Sequence, residues 1–110
     1  MKWYKKLYLG DNAKEAKYKI FGKIRQNRFT FNTYLIILSS NAHNLLEIIS
    51  ANELKQSFYK DKTVQNHIYV VGLAVGYDEA LEVVERIIKE VYQATGGFDL
   101  QSYLEFGKNV

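Results

Sequence analysis

Cysteine and proline are absent from this 110-residue chain, and histidine occurs only twice. The first absence removes disulfides, thiolate metal sites and cysteine nucleophiles together, as expected of a cytoplasmic protein. The second removes a usual marker of domain boundaries, and no linker composition or internal repeat replaces it. Long apolar runs are missing too. The N-terminal MKWYKKLYLG carries positive charge without the apolar segment of a signal peptide, and nothing approaches the roughly 20 apolar residues of a spanning helix. A soluble chain folded as one domain over residues 1–110 is expected, with no membrane partner.

What is present suffices for one modest core. Apolar residues make up 47% of the chain, with nine Tyr and six Phe, so disorder is not expected. The formal charge of +3 hides an imbalance. Residues 1–28 hold nine Lys and Arg against Asp11 and Glu15, a net of +7, while residues 29–110 carry a net of −4. Such asymmetry marks a surface for nucleic acid or an acidic partner, or else a basic face lying beside an acidic one in the same molecule.

The clearest structural signal runs from His67 to Gly97. Ile68 to Val75 is almost continuously apolar and β-branched, as in a strand covered on both faces, and Gly72 and Gly76 interrupt it. A long amphipathic helix follows over Glu79 to Thr95. Ala80, Leu81, Val84, Ile87, Ile88 and Val91 form its apolar face, and Glu82 with Arg86 and Glu85 with Lys89 stand at i,i+4 on the other. Gly96 and Gly97 end it.

Elsewhere the pattern is weaker. Lys2 to Leu9 fits a short strand or a helical turn. Ala13 to about Asn27 fits a basic helix, with Ala13, Ala16, Ile20 and Ile24 on one face and Phe21 at its edge, or an alternating strand. Helix propensity and the Gly10-Asp11-Asn12 cap signal favour the helix, against about 1 kcal/mol for Gly22 within it. Tyr34 to Leu38 and Leu45 to Ile49 read as an antiparallel hairpin. Ser50 and Glu53 have capping-box spacing, and Ile49 and Leu54 staple spacing, for a short helix over residues 51–60. The expected fold is α+β: a mainly antiparallel sheet of three or more strands (34–38, 45–49, 68–75) under the C-terminal helix. The outline of strand, helix, two strands, a later strand and helix is similar to that of RNA-recognition domains. The aromatic-rich RNP1 pattern is missing, however, and no family is assigned.

The chain offers little for catalysis. Its G-L-A-V-G corner lacks the glycine spacing of a dinucleotide or phosphate loop, and Asp78 and Glu79 would repel an anion there, so these read as turn glycines. His43 and His67 have no third group at predictive spacing, and Ser39, Ser40 and His43 lack a nucleophile elbow. Glu79, Glu82, Glu85 and Glu90 read as solvated helix charge. Glu47 interrupts an apolar strand and would matter only if it faced a pocket. No catalytic residue, cofactor or metal is expected.

Two surfaces remain. Lys14, Lys17, Lys19, Lys23, Arg25 and Arg28, interleaved with aromatics from Trp3 to Phe31, suit RNA, single-stranded DNA or an acidic partner. In the tail, Phe98, Leu100, Tyr103, Leu104 and Phe106 are too apolar to leave in water, and either close over the core or bury themselves in another subunit. Protein interaction or self-association without catalysis is the expected role, with nucleic-acid binding as the alternative.

Overall fold

The computed structural model describes residues 2–25, 32–39, 46–55, 61 and 68–104. Its elements are β1 (Lys2–Leu9), α1 (Asp11–Glu15), α2 (Lys17–Arg25), β2 (Thr33–Ser39), β3 (Leu46–Ser50), a 3-10 turn (Ala51–Lys55), β4 (Ile68–Val75), α3 (Tyr77–Thr95) and α4 (Leu100–Tyr103). The four strands form one sheet in the order β1-β4-β2-β3. β2 pairs antiparallel with both β3 and β4, whereas β1 lies parallel to β4, so the α+β sheet is mixed.

β4 is buried over its first seven residues because each face of the sheet carries a helix. On one face Tyr69, Val71 and Ala74 join Ile36 and Leu38 beneath Ala80, Val83, Ile87 and Val91 of α3. On the other, Ile68, Val70 and Leu73 join Leu35, Ile37 and Ile49 beneath Ala13, Ile20 and Leu54. Alternation along β4 slips once. Ile36 stands opposite Gly72 and Ile37 opposite Val70, so Val71 is the extra residue of a β-bulge. Gly72 is therefore not a turn glycine but a mid-strand residue on the α3 face, where an added Cβ would lie 3.1 Å from Val83 Cγ1 and 3.3 Å from Ile36 Cβ. Gly76, with φ of 95°, does turn the corner into α3.

The undecided N-terminal stretch is an edge strand with a large irregularity. Trp3 stands opposite Val70 and Tyr8 opposite Gly72, so five steps along β1 match two along β4. Tyr4 faces the α3-side core, where its ring meets Tyr69 edge-on, and Tyr8 lies on the same face against the helix. Lysines and a distorted backbone also keep this edge from recruiting another strand.

Several expectations shift. The basic helix is two pieces separated at Ala16, and among its described side chains Ala13 and Ile20 are buried. The short helix is a 3-10 turn over Ala51–Lys55; residues 56–60 lie outside the described ones. Its capping works from both sides: Ser50 N donates to Glu53 Oε2 at 2.8 Å, and Ser50 Oγ accepts from Asn52 N at 3.2 Å. On α3 the buried face is Ala80, Val83, Ile87 and Val91, while Leu81 and Ile88, expected in the core, are 46% and 36% exposed. Glu85 pairs with Lys89 at 2.8 Å as the spacing predicts, but Arg86 reaches past Glu82 to donate to Leu9 O at 3.0 Å. Gly96 caps the helix in the left-handed region, and Asp99 caps α4 through Ser102.

The Tyr8 hydroxyl donates to the Glu90 carboxylate across the gap between β1 and α3. Burial, and then this negative neighbour, hold its pKa well above the ordinary tyrosine value. The unfolded chain releases this proton near pH 10, whereas the folded chain keeps it. The contribution is therefore intact below about pH 10 and declines as pH rises beyond it. Urea midpoints measured from pH 8 to 11 should fall more steeply above pH 10 for the native chain than for Tyr8→Phe.

Candidate functional site

β1 and β4 are neighbours, run parallel, and end at the same edge of the sheet. The chain leaving β1 enters α1 on one face, and the chain leaving β4 enters α3 on the other. Helices that diverge from adjacent parallel strands open a crevice at the strand ends, the usual ligand position in open α/β sheets. A cleft of about 620 Å³ lies there, lined by Asp11, Asn12, Asn32, Tyr77, Asp78 and Glu82, with Glu79 among its walls.

Glu79 holds this corner together. Its carboxylate accepts from Asn12 N at 2.8 Å and from Val75 N at 2.6 Å, joining the start of α1 to the end of β4. Gly10 makes room for it, since a Cβ there would lie 2.3 Å from the Glu79 carboxyl carbon. Gly10 N also donates to Leu73 O at 3.0 Å, and Gly76 N to the carbonyl of Asn32, whose φ of 68° suits asparagine. The two acids expected only to complement the helix dipole therefore differ in role, Asp78 being exposed and Glu79 bound to backbone.

Four carboxylates around the cleft offset the positive ends of α1 and α3, so phosphate finds no home there, in line with the absent phosphate-loop spacing. Among the described residues, no three His, Cys, Asp or Glu side chains come close enough together to hold a metal. His43 and His67 lie outside the described residues, and Glu47 points outward from the edge strand β3. No described helix is long and apolar enough to cross a membrane.

Of the residues of the expected basic surface, Lys14 belongs to α1 and Lys17 and Lys19 to α2. Lys14 and Lys19 are exposed, Lys17 is half-buried with its ammonium 5.7 Å from the Tyr18 ring centre, and Tyr18 is 85% exposed. Lys23 and Arg25 belong to α2, and Arg28 lies outside the described residues. Ala13 of α1 and Ile20 of α2 pack on the sheet face opposite the one that α3 covers. The expected association surface divides. Leu100 and Leu104 are buried in the chain's own core, where Leu104 O accepts from the Tyr69 hydroxyl at 2.9 Å, and Tyr103 is half-buried. Phe98 remains 60% exposed, stacked on Tyr92, while Phe106 lies outside the described residues.

Sequence reasoning missed a different surface. Tyr77, Leu81, Val84, Ile88 and Tyr92 recur along α3 at spacings of four, three, four and four, and only Val84 among them packs on the core. They form a second apolar stripe beside the buried one. One flank of α3 is tied to the N-terminal part of the chain through Glu79, Arg86 and Glu90. The stripe takes the other flank, where Tyr77 meets the Tyr34 ring edge-on. Leu46 and Ile48 of β3, on the same face of the sheet, are only half-buried. The legible signal was an apolar arc too wide for one contact: Val83 with Val84, and Ile87 with Ile88, are more than a narrow seam requires.

Gly10→Ala should displace the Glu79 carboxylate and cost about 2 kcal/mol, the scale of hydrogen bonds to a charged group. In a Glu79→Ala background the same change should cost almost nothing, so urea denaturation of both single variants and the double should give a strongly non-additive cycle. Comparison of the chain with protein-family models, with curated proteins and with solved structures found no match.

Proposed function

We propose that this protein acts by association with another protein surface through the stripe on α3, without catalysis of its own. The supporting observation is that four large apolar side chains, Tyr77, Leu81, Ile88 and Tyr92, lie open along one helix flank, and Phe98 extends them. Scattered exposed apolar residues need no explanation, but a contiguous row rimmed by Asp78, Glu85 and Lys89 has the make-up of an interface, with aromatics central and charge peripheral. The acidic cleft contributes no nucleophile with a base and no metal ligand set among the described residues, so it adds nothing in favour of an enzyme.

The test is the native mass of the protein isolated from its own cells, compared with that of Leu81→Lys/Ile88→Lys. Both positions are exposed, so the circular dichroism and thermal midpoint of the variant should stay near those of the parent. Measured at a protein concentration of about 100 µM, where even a weak assembly is populated, a mass above 12.8 kDa that the variant reduces to monomer supports the reading, and a monomer in both cases overturns it.

Exposed Tyr18 beside Lys14, Lys17 and Lys19 favours a second reading, nucleic-acid binding on the α1–α2 face. With a helix on each face of the sheet, stacking of bases would fall to Tyr18 rather than to the strands. Fluorescence anisotropy with a short single-stranded RNA should then show binding that weakens with salt and drops at least tenfold when Lys17, Lys19, Lys23 and Arg25 are all changed to Gln. No anisotropy change at low salt would remove this reading.

A further inference from the structure

The residue order within the stripe says what it meets, granted the association reading on which this inference rests. In an antiparallel helix pair, facing residues have numbers that add to a constant. Tyr77 with Tyr92 and Leu81 with Ile88 share one constant, so these four exposed residues pair about a point midway between 84 and 85, where Val84 stands level with Glu85. We infer that the occupant of this face is a second copy of the same chain, with the two α3 helices antiparallel about a two-fold axis at that point.

An isologous contact requires that residue i meets j while j meets i, and the four exposed apolar residues satisfy it with matched chemistry. Aliphatic Leu81 faces aliphatic Ile88, and aromatic Tyr77 faces aromatic Tyr92. Charge follows the same symmetry. Lys89 falls two residues from the level of Asp78 of the second copy, about 3 Å along the axis and within reach of a lysine side chain. Glu85 meets its counterpart near the two-fold, and the Lys89 of the same chain, 2.8 Å from its carboxylate, offsets that repulsion. The flank is the one left bare, since Glu79, Arg86 and Glu90 occupy the opposite one. The half-covered Leu46 and Ile48 of edge strand β3 lie on the same face of the sheet. A contact of one helix pair and its margins is smaller than a standard interface, so a dissociation constant on the order of 10 µM is expected.

The absence of native cysteine makes every introduced thiol unique. Purified Leu81→Cys and Ile88→Cys chains, mixed at about ten times that dissociation constant and exposed to an added oxidant, should form the mixed disulfide at least fivefold faster than either forms its own. Glu85→Cys alone should cross-link to itself, because the two copies of residue 85 lie only about 1.5 Å apart along the axis. Leu81→Cys alone should not, being offset by about 10 Å. Equal or faster homodimers of Leu81→Cys overturn the inferred pairing. Sedimentation showing a strict monomer up to about 1 mM, a hundred times the expected constant, overturns the second copy as occupant. The native-mass comparison then separates the two ideas: a heavier assembly lost in Leu81→Lys/Ile88→Lys leaves association standing with a different partner, and a monomer in both removes the association reading as well.

Discussion

The structure depends on how closely α3 can lie on β4. A side chain at position 72 would press into Val83 and Ile36, and glycine there lets the helix settle onto the bulge that Val71 creates. Interiors are packed densely enough that a displacement of one methyl group is felt by neighbours, so Ala80, Val83, Ile87 and Val91 take their places from this one approach. The approach also sets the helix rotation. With Val83 directed at Gly72, Leu81 and Ile88 are left on the flank, and the exposed stripe follows from a contact inside the core.

A second constraint acts at the strand ends. Backbone donors at the end of β4 and the start of α1 need acceptors where the sheet stops, and Glu79 supplies both from one carboxylate. Gly10 leaves the space that this carboxylate fills. The corner therefore behaves as a brace between the two chain segments that diverge there, which accounts for one acid of the cleft without invoking a ligand.

The hairpin, the buried strand and the long helix were legible because each has a periodicity that only one kind of element satisfies. Ile68 to Val75 has the β-branched content of a doubly covered strand, and the glycines that stop α3 stand where helices stop. β1 was not legible because Lys2, Lys5 and Lys6 break up its apolar pattern, although Trp3, Leu7 and Leu9 pack on one face and Tyr4 and Tyr8 on the other. The break at Ala16 was hidden as well, because alanine is the strongest helix former. Among the site residues, the assignment of Leu100 and Leu104 to the core could not be read from sequence: an apolar tail looks the same whether it covers its own sheet or another. Leu81 and Ile88 were misplaced for a related reason. Sequence gives the width of an apolar arc, and only the sheet beneath decides which part of it is covered.

The parallel pairing of β1 with β4 imposes an order of events on a growing chain. Leu9 meets Leu73, whereas Leu38 meets Leu46 only a hairpin away. Closing the longer loop costs about 2 kcal/mol more in chain entropy than closing the shorter. During synthesis the N-terminal strand emerges first yet has nothing to pair with until the ribosome has passed residue 75. The first segment made is thus the last to find its neighbour, and until then the flank of β4 that it covers stays open to whatever else the cell presents.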